Sequence, residues 1–224
     1  MSVDLSTPAP RTAKAKDTIS KTLEMDIIFG HIAPGDRLIE DELMERFSGS
    51  RHAIRAAIDT VVKRGLAKRE PNKGAHACRY SHTQITQMYE LRNILQDAAI
   101  TSIRFPVDPT VITALSILND AHGTACKRGD LEAMFHLNEQ FHRTVFACCD
   151  NKELCAAIEA ESRKTQPIRT NSFKVSGYLA LARKEHRQII DALVASDHAA
   201  LLMLSRAHID RPMRDYIKRY QLVE

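Results

Sequence analysis

A chain of 224 residues is long enough for one large domain or two small ones. Its 44% hydrophobic and 27% charged residues are ordinary for a soluble globular protein. No apolar run approaches the roughly 20 residues of a membrane span, and a net charge of +4 is only a weak pull toward an anionic partner.

Residues 1–15, "MSVDLSTPAPRTAKA", have no periodic apolar pattern and are predicted to form a flexible arm. Helical spacing starts near Asp17, with Ile19, Leu23, Ile27 and Ile28 in one stripe that ends at Gly30, Pro34 and Gly35. A second helix fits "EDELMERF" and stops at "SGS". Ser50 is a good N-cap for a third. That helix buries Ile54, Ala57, Ile58, Val61 and Val62 and stops at Gly65. Two short extended pieces then flank a turn at "PNKG".

From about Thr83 the chain is helical throughout, with breaks at 105–109, 127–130, 149–151 and 175–177 and about six helices. The expected organisation is an arm over 1–15, a first domain over 16–80 and an all-α helical bundle over 83–224. There is no internal repeat.

Charge is unevenly placed. Residues 51–79 carry eight Lys and Arg against Asp59 and Glu70, a local +6 that exceeds the balance of the whole chain. Helix, short helix, turn, basic helix and basic hairpin follow in the order of a winged helix-turn-helix. Such a fold sends the N-terminal end of its second helix into the DNA major groove. Arg51 and Arg55 lie there one turn apart, opposite Ile54 and Ile58. Either Arg can bind guanine in a bidentate way or hold a phosphate. Ser50 offers a hydroxyl or a helix N-terminal amide to phosphate, and Lys73 at the hairpin tip can follow an adjacent groove. The competing reading of such a charge run is a solvated face.

Ten His are present, and His31, His82, His122 and His198 read as surface or incidental residues. His142, His186 and His208 each lie on or beside an apolar face. Singly, such a residue is more often a hydrogen-bonded core His. Converging from three helices, the trio would instead make a divalent site of Zn, Ni or Mn type. Asn138, one turn before His142, can add a side-chain oxygen from the same helix face. Five Cys without a CxxC pair, and an N-terminus without an apolar signal segment, read as reduced thiols in a cytoplasm. Cys148 and Cys149 read as packing residues.

At "IAPGDRLIEDELMERFSGSRHAIRAAIDTVVKRGLAKREPNKGAHA" the sequence resembles the DNA-binding domain of the GntR family of bacterial transcription regulators. Pro34, Gly35, Leu38, Glu42, Leu43, Ser50, Arg51, Arg55, Ala57, Gly65 and Gly74 carry the likeness. His52-Ala53 replaces the usual Thr-Pro, Ala56 replaces a Glu, and Asp41 stands where some relatives carry a DNA-contacting Arg. "YELRNILQDAA", "NEQFHRTVFACCDNKEL", "KEHRQIIDAL" and "RAHI" resemble the FCD effector domain of the FadR subfamily. The resemblance implies a metal held by His142, His186, His208 and the residue at 138, where Asp is usual and this chain has Asn. It also implies a small carboxylate effector that meets Arg92, with Gln96 standing where Glu is frequent.

The sequence therefore predicts a homodimeric, ligand-responsive repressor released from palindromic DNA. Ser50, Arg51, His52, Arg55, Lys73 and Gly74 would meet the DNA. A sensor whose signal is the metal itself is the second reading. A metal enzyme is disfavoured, because no general base stands out, Glu139 points about 100° away from Asn138, and no nucleotide or hydrolase motif is present.

Overall fold

The computed structural model describes residues 11–175 and 177–220. Contacts divide the chain into two units, Met1–Arg79 and Tyr80–Glu224.

In the first unit, helix α1 (Arg11–Ile28) packs on α3 (Arg51–Lys63), and α2 (Glu40–Phe47) packs against α3 as well. Helix α1 begins at Arg11, so the last third of the expected arm is helical; residues 1–10 lie outside the described residues. Ile19, Leu23, Ile27 and Ile28 are all buried and face Ile54, Ala57, Ile58 and Val61 in the core, while Val62 is half-buried. The turn between α2 and α3 uses Ser48 in the left-handed region (φ 48°), and the Ser50 hydroxyl caps α3 by accepting from the Ala53 amide at 3.3 Å. Gly65 (φ 75°) follows α3.

Strands β1 (Ala67–Glu70) and β2 (Gly74–Ala77) then form an antiparallel hairpin with Ala67 opposite Ala77 and Glu70 opposite Gly74. Asn72 (φ 62°) and Gly74 (φ 83°) make the tip. The segment before α2 runs along β2, where the Leu38 amide donates to the Ala75 carbonyl at 2.8 Å.

The second unit is a helical bundle: α4 (His82–Thr101), α5 (Pro109–Arg128), α6 (Leu131–Ala147), α7 (Lys152–Lys164), α8 (Gln166–Asn171), a 3-10 turn (Ser172–Lys174), α9 (Tyr178–Val194) and α10 (His198–Arg219). Every break expected from the sequence is present. Two more occur, at Thr165, just ahead of Pro167 in the first turn of α8, and at 195–197, where no Gly or Pro stands. The starts are explained locally. Ser81 and Gln84 form a reciprocal capping box on α4, and Asp108, Asp130, Asn151 and Asp197 cap α5, α6, α7 and α10. The main core joins Leu115, Phe141, Val145, Ile189, Leu193 and Leu201. A smaller one gathers Ile85, Tyr89, Ile168, Ile209 and Tyr216 around α4 and α10.

Mainly helical architecture with one small hairpin is therefore the observed fold class, a winged helix-turn-helix followed by an all-α domain.

Candidate functional sites

On the first unit, α3 presents its arginines to solvent: the Arg51 and Arg55 side chains are 51% and 58% exposed. Neither is idle. Arg51 donates to Asp41 at 2.7 Å and to Glu40 at 3.3 Å, and Arg55 donates to both oxygens of Glu40 at 2.9 Å. The bond from Arg55 holds the Glu40 carboxyl below the usual carboxylate range. Exposed pairs of this kind are strongly screened by solvent, so they orient the guanidinium groups more than they sequester them. His52 is exposed beside them. At the hairpin tip Lys73 is 71% exposed and lies 3.4 Å from Glu70. The sequence reading missed the α2 acids as partners of the α3 arginines; their separation of 10 to 15 residues across a turn gives no periodic signal.

The second unit brings the three His together. His142 on α6, His186 on α9 and His208 on α10 each offer one ring nitrogen, and these atoms all lie within 4.8 Å of one another. The His142 and His208 Nε2 atoms are 3.1 Å apart. A metal about 2 Å from each imidazole nitrogen spaces neighbouring ligands about 3 Å apart, so this separation suits a shared ion. His186 is fully buried, with neither ring nitrogen hydrogen-bonded. A core His of the ordinary kind has a partner; one facing two other imidazoles with no partner fits a ligand. Phe141 stacks on it at 4.0 Å and fixes the ring.

Burial, followed by repulsion from the neighbouring imidazoles, pushes His142 and His186 well below the usual His range. Both are then neutral at pH 7, the form that ligates. The His208 Nδ1 faces Glu185 Oε2 at 2.7 Å. A carboxylate only accepts, so Nδ1 carries the hydrogen, and Nε2 is the His208 atom that faces His142. Arg211 donates to the other Glu185 oxygen at 2.5 Å. Burial works against the charged Glu185, but the bonds from His208 and Arg211 outweigh it and hold the carboxyl low.

His142 and His208 line a cavity of about 450 Å³ together with Asn138, Arg92 and Gln96. Arg92 is only 3% exposed, a buried cation and not a surface one. It donates to the Thr165 hydroxyl at 2.9 Å and sits over the Tyr89 ring at 5.0 Å, with Nε unpartnered. Burial pulls its pKa down to about 10, so it stays cationic at neutral pH.

Two expectations are corrected here. His122 is buried (2% exposed), its ring edge-on to His186 at 5.6 Å, and burial lowers its pKa to about 4. Its role comes from His186 on α9, a neighbour that spacing along α5 does not indicate. Glu139 does line the cavity, held by Arg169 at 2.7 Å and by Gln166 at 3.0 Å. The 100° offset from Asn138 is correct for a helix, but the cavity wraps round that arc. Arg169 and Glu185 were missed, because nothing in the sequence ties α8 to α6 or Glu185 to a His 23 residues later.

Two family models match the chain: "Bacterial regulatory proteins, gntR family" over residues 15–76 and "FCD domain" over residues 87–211. The chain belongs to the GntR family of bacterial regulatory proteins and carries an FCD domain. Its curated relatives are HTH-type transcriptional regulators. The HTH-type transcriptional repressor RspR of Escherichia coli is 24% identical over 88% of this chain and 87% of its own length. The Nta operon transcriptional regulator of Aminobacter aminovorans is 25% identical over 81% and 84%. The solved structure of E. coli McbR/YncC superposes with a TM-score of 0.75 at 18% identity, covering 92% of this chain and 98% of that one, which shows the shared fold. This GntR-family regulator is therefore a transcription regulator, not an enzyme. Among the described residues no helix is long and apolar enough to cross a membrane.

Proposed function

We propose that this GntR-family regulator is a homodimeric repressor that a small carboxylate, bound over a divalent metal, releases from palindromic DNA. The observation that carries the reading is the convergence of three imidazoles at a cavity that also holds a buried Arg92 with no carboxylate partner among the described residues. His142, His186 and His208 would hold the metal, with the Asn138 carbonyl as a further oxygen. A divalent ion there supplies an electrophilic position for an anion. Arg92 would meet the carboxylate as a charge-assisted partner. In the first unit Arg51 and Arg55 would reach base edges or phosphates, with Ser50, His52, Lys73 and Gly74 positioning the backbone.

Repression is the role that RspR carries in its name, at 24% identity. Twofold protein symmetry calls for an inverted repeat. Release requires that the acid favour a state of lower DNA affinity.

The test is selection of bound duplexes from a random pool, followed by binding titrations on the recovered site. An inverted repeat is expected, bound as a dimer, with affinity falling at least tenfold when zinc and a carboxylic acid are present together. Release by metal alone would instead support a metal sensor. That second reading is favoured only by the same His trio. Recovery of no sequence preference would overturn the DNA role.

A further inference from the structure

We infer that the effector is a monocarboxylate with a compact apolar body, aryl or branched alkyl, rather than a hydroxyl-rich acid. The inference rests on the carboxylate-over-metal reading and deepens it. The walls carry it. Phe135, Phe146, Ile158, Tyr178 and Ile209 are buried side chains on the cavity surface, and Phe173 is half-buried beside them. Phe146 lies parallel to the His142 ring with centroids 6.4 Å apart, so the aromatic wall reaches the imidazole trio itself. An apolar body against such walls loses water it held poorly, whereas a polyol would leave buried hydroxyls unpaired.

The polar groups lining the cavity are mostly committed elsewhere. Glu139 is taken by Arg169 and Gln166, Arg143 pairs with Glu159, and the Thr170 hydroxyl donates to the Gln166 carbonyl. Arg92 has no carboxylate partner among the described residues, and Gln96 Oε1 is buried with no partner at all. Among the described residues Arg92 is then the buried cation left for one carboxylate and Gln96 Oε1 a buried acceptor left for one donor, while Asn138 and Ser162 on the lining are half-buried and Asp150 and Lys152 exposed. A cavity of about 450 Å³ suits a ligand of this size.

Full-length, zinc-loaded protein titrated calorimetrically with phenylacetate, 4-methylpentanoate, acetate and gluconate tests it. Phenylacetate and 4-methylpentanoate are expected to bind at least tenfold more tightly than gluconate. Phe173→Ser should cost phenylacetate at least fivefold while leaving acetate unchanged. Should that variant not fold, the ranking of acids on the parent chain decides alone. Gluconate binding more tightly than phenylacetate overturns the inference but keeps the carboxylate reading. No binding by any of the four acids overturns both.

Discussion

Asn138 is where charge and geometry disagree most usefully. The three imidazoles bring no negative charge. The nearby carboxylates are committed, Glu139 to Arg169 and Glu185 to Arg211 and His208. A divalent ion in that setting is poorly neutralised, and a bound anion would supply what the protein omits. Asn138→Asp is expected to tighten zinc binding about tenfold or more, on the order of 1.4 kcal/mol, and to weaken carboxylate binding. Chelator competition measures the first and calorimetry the second. Equal zinc affinity in both proteins would place residue 138 outside the influence of the metal.

Helix α3 has a different logic. Its buried stripe of Ile54, Ala57, Ile58 and Val61 fixes its rotation, and Arg51 and Arg55 then stand on the exposed flank, about 90° round the helix from that stripe and not directly opposite it. Glu40 and Asp41, at the start of α2, hold those side chains in extended, directed positions. Arg55→Ala is expected to cost about 1–3 kcal/mol in affinity for the selected DNA and to relax its sequence preference, with the same oligomeric state as the parent chain by ultracentrifugation. Lys73→Ala should weaken binding to all sequences alike and lower the salt slope by about one. Full specific binding by the Arg55 variant would reject α3 as the reading helix.

For the molecule as a whole, the buried imidazoles couple stability to pH. His122, His142 and His186 all titrate below their ordinary range in the folded chain, with His122 at about 4. Once unfolded they take up protons near pH 6.5. Their contribution is complete above that value and is lost as the pH falls from 6.5 toward 4, at up to about 1.4 kcal/mol per pH unit for each group. Chelator-treated protein should therefore melt at progressively lower temperature between pH 7 and pH 5, and His122→Gln should flatten the dependence. A melting temperature constant over that interval would contradict the depressed values.

Much of this was legible in the order of residues. The apolar stripe of α1, the limits of α2, the Ser50 cap and the turn at Asn72 to Gly74 follow from local rules: periodicity, capping and positive φ. The three His could be marked because each lies on or beside an apolar stripe, and Arg92 because it falls within a family motif. Local rules set which face of a helix is buried, not which distant face it meets. That is why Arg169, Glu185, Glu139 and His122 stayed hidden, since each acquires its role from a neighbour on another helix. The break at Thr165, by contrast, has a local signal in Pro167, at the first turn of α8. The sequence by itself determined the helices, their caps, the exposed basic face of α3 and the candidate ligands, because these depend on spacing within one element. The tertiary structure alone decided that three imidazoles converge and that, among the described residues, Arg92 in the cavity has no carboxylate partner while Arg169 pairs with Glu139. Those are long-range distances, and burial makes every unpaired charge at such distances costly.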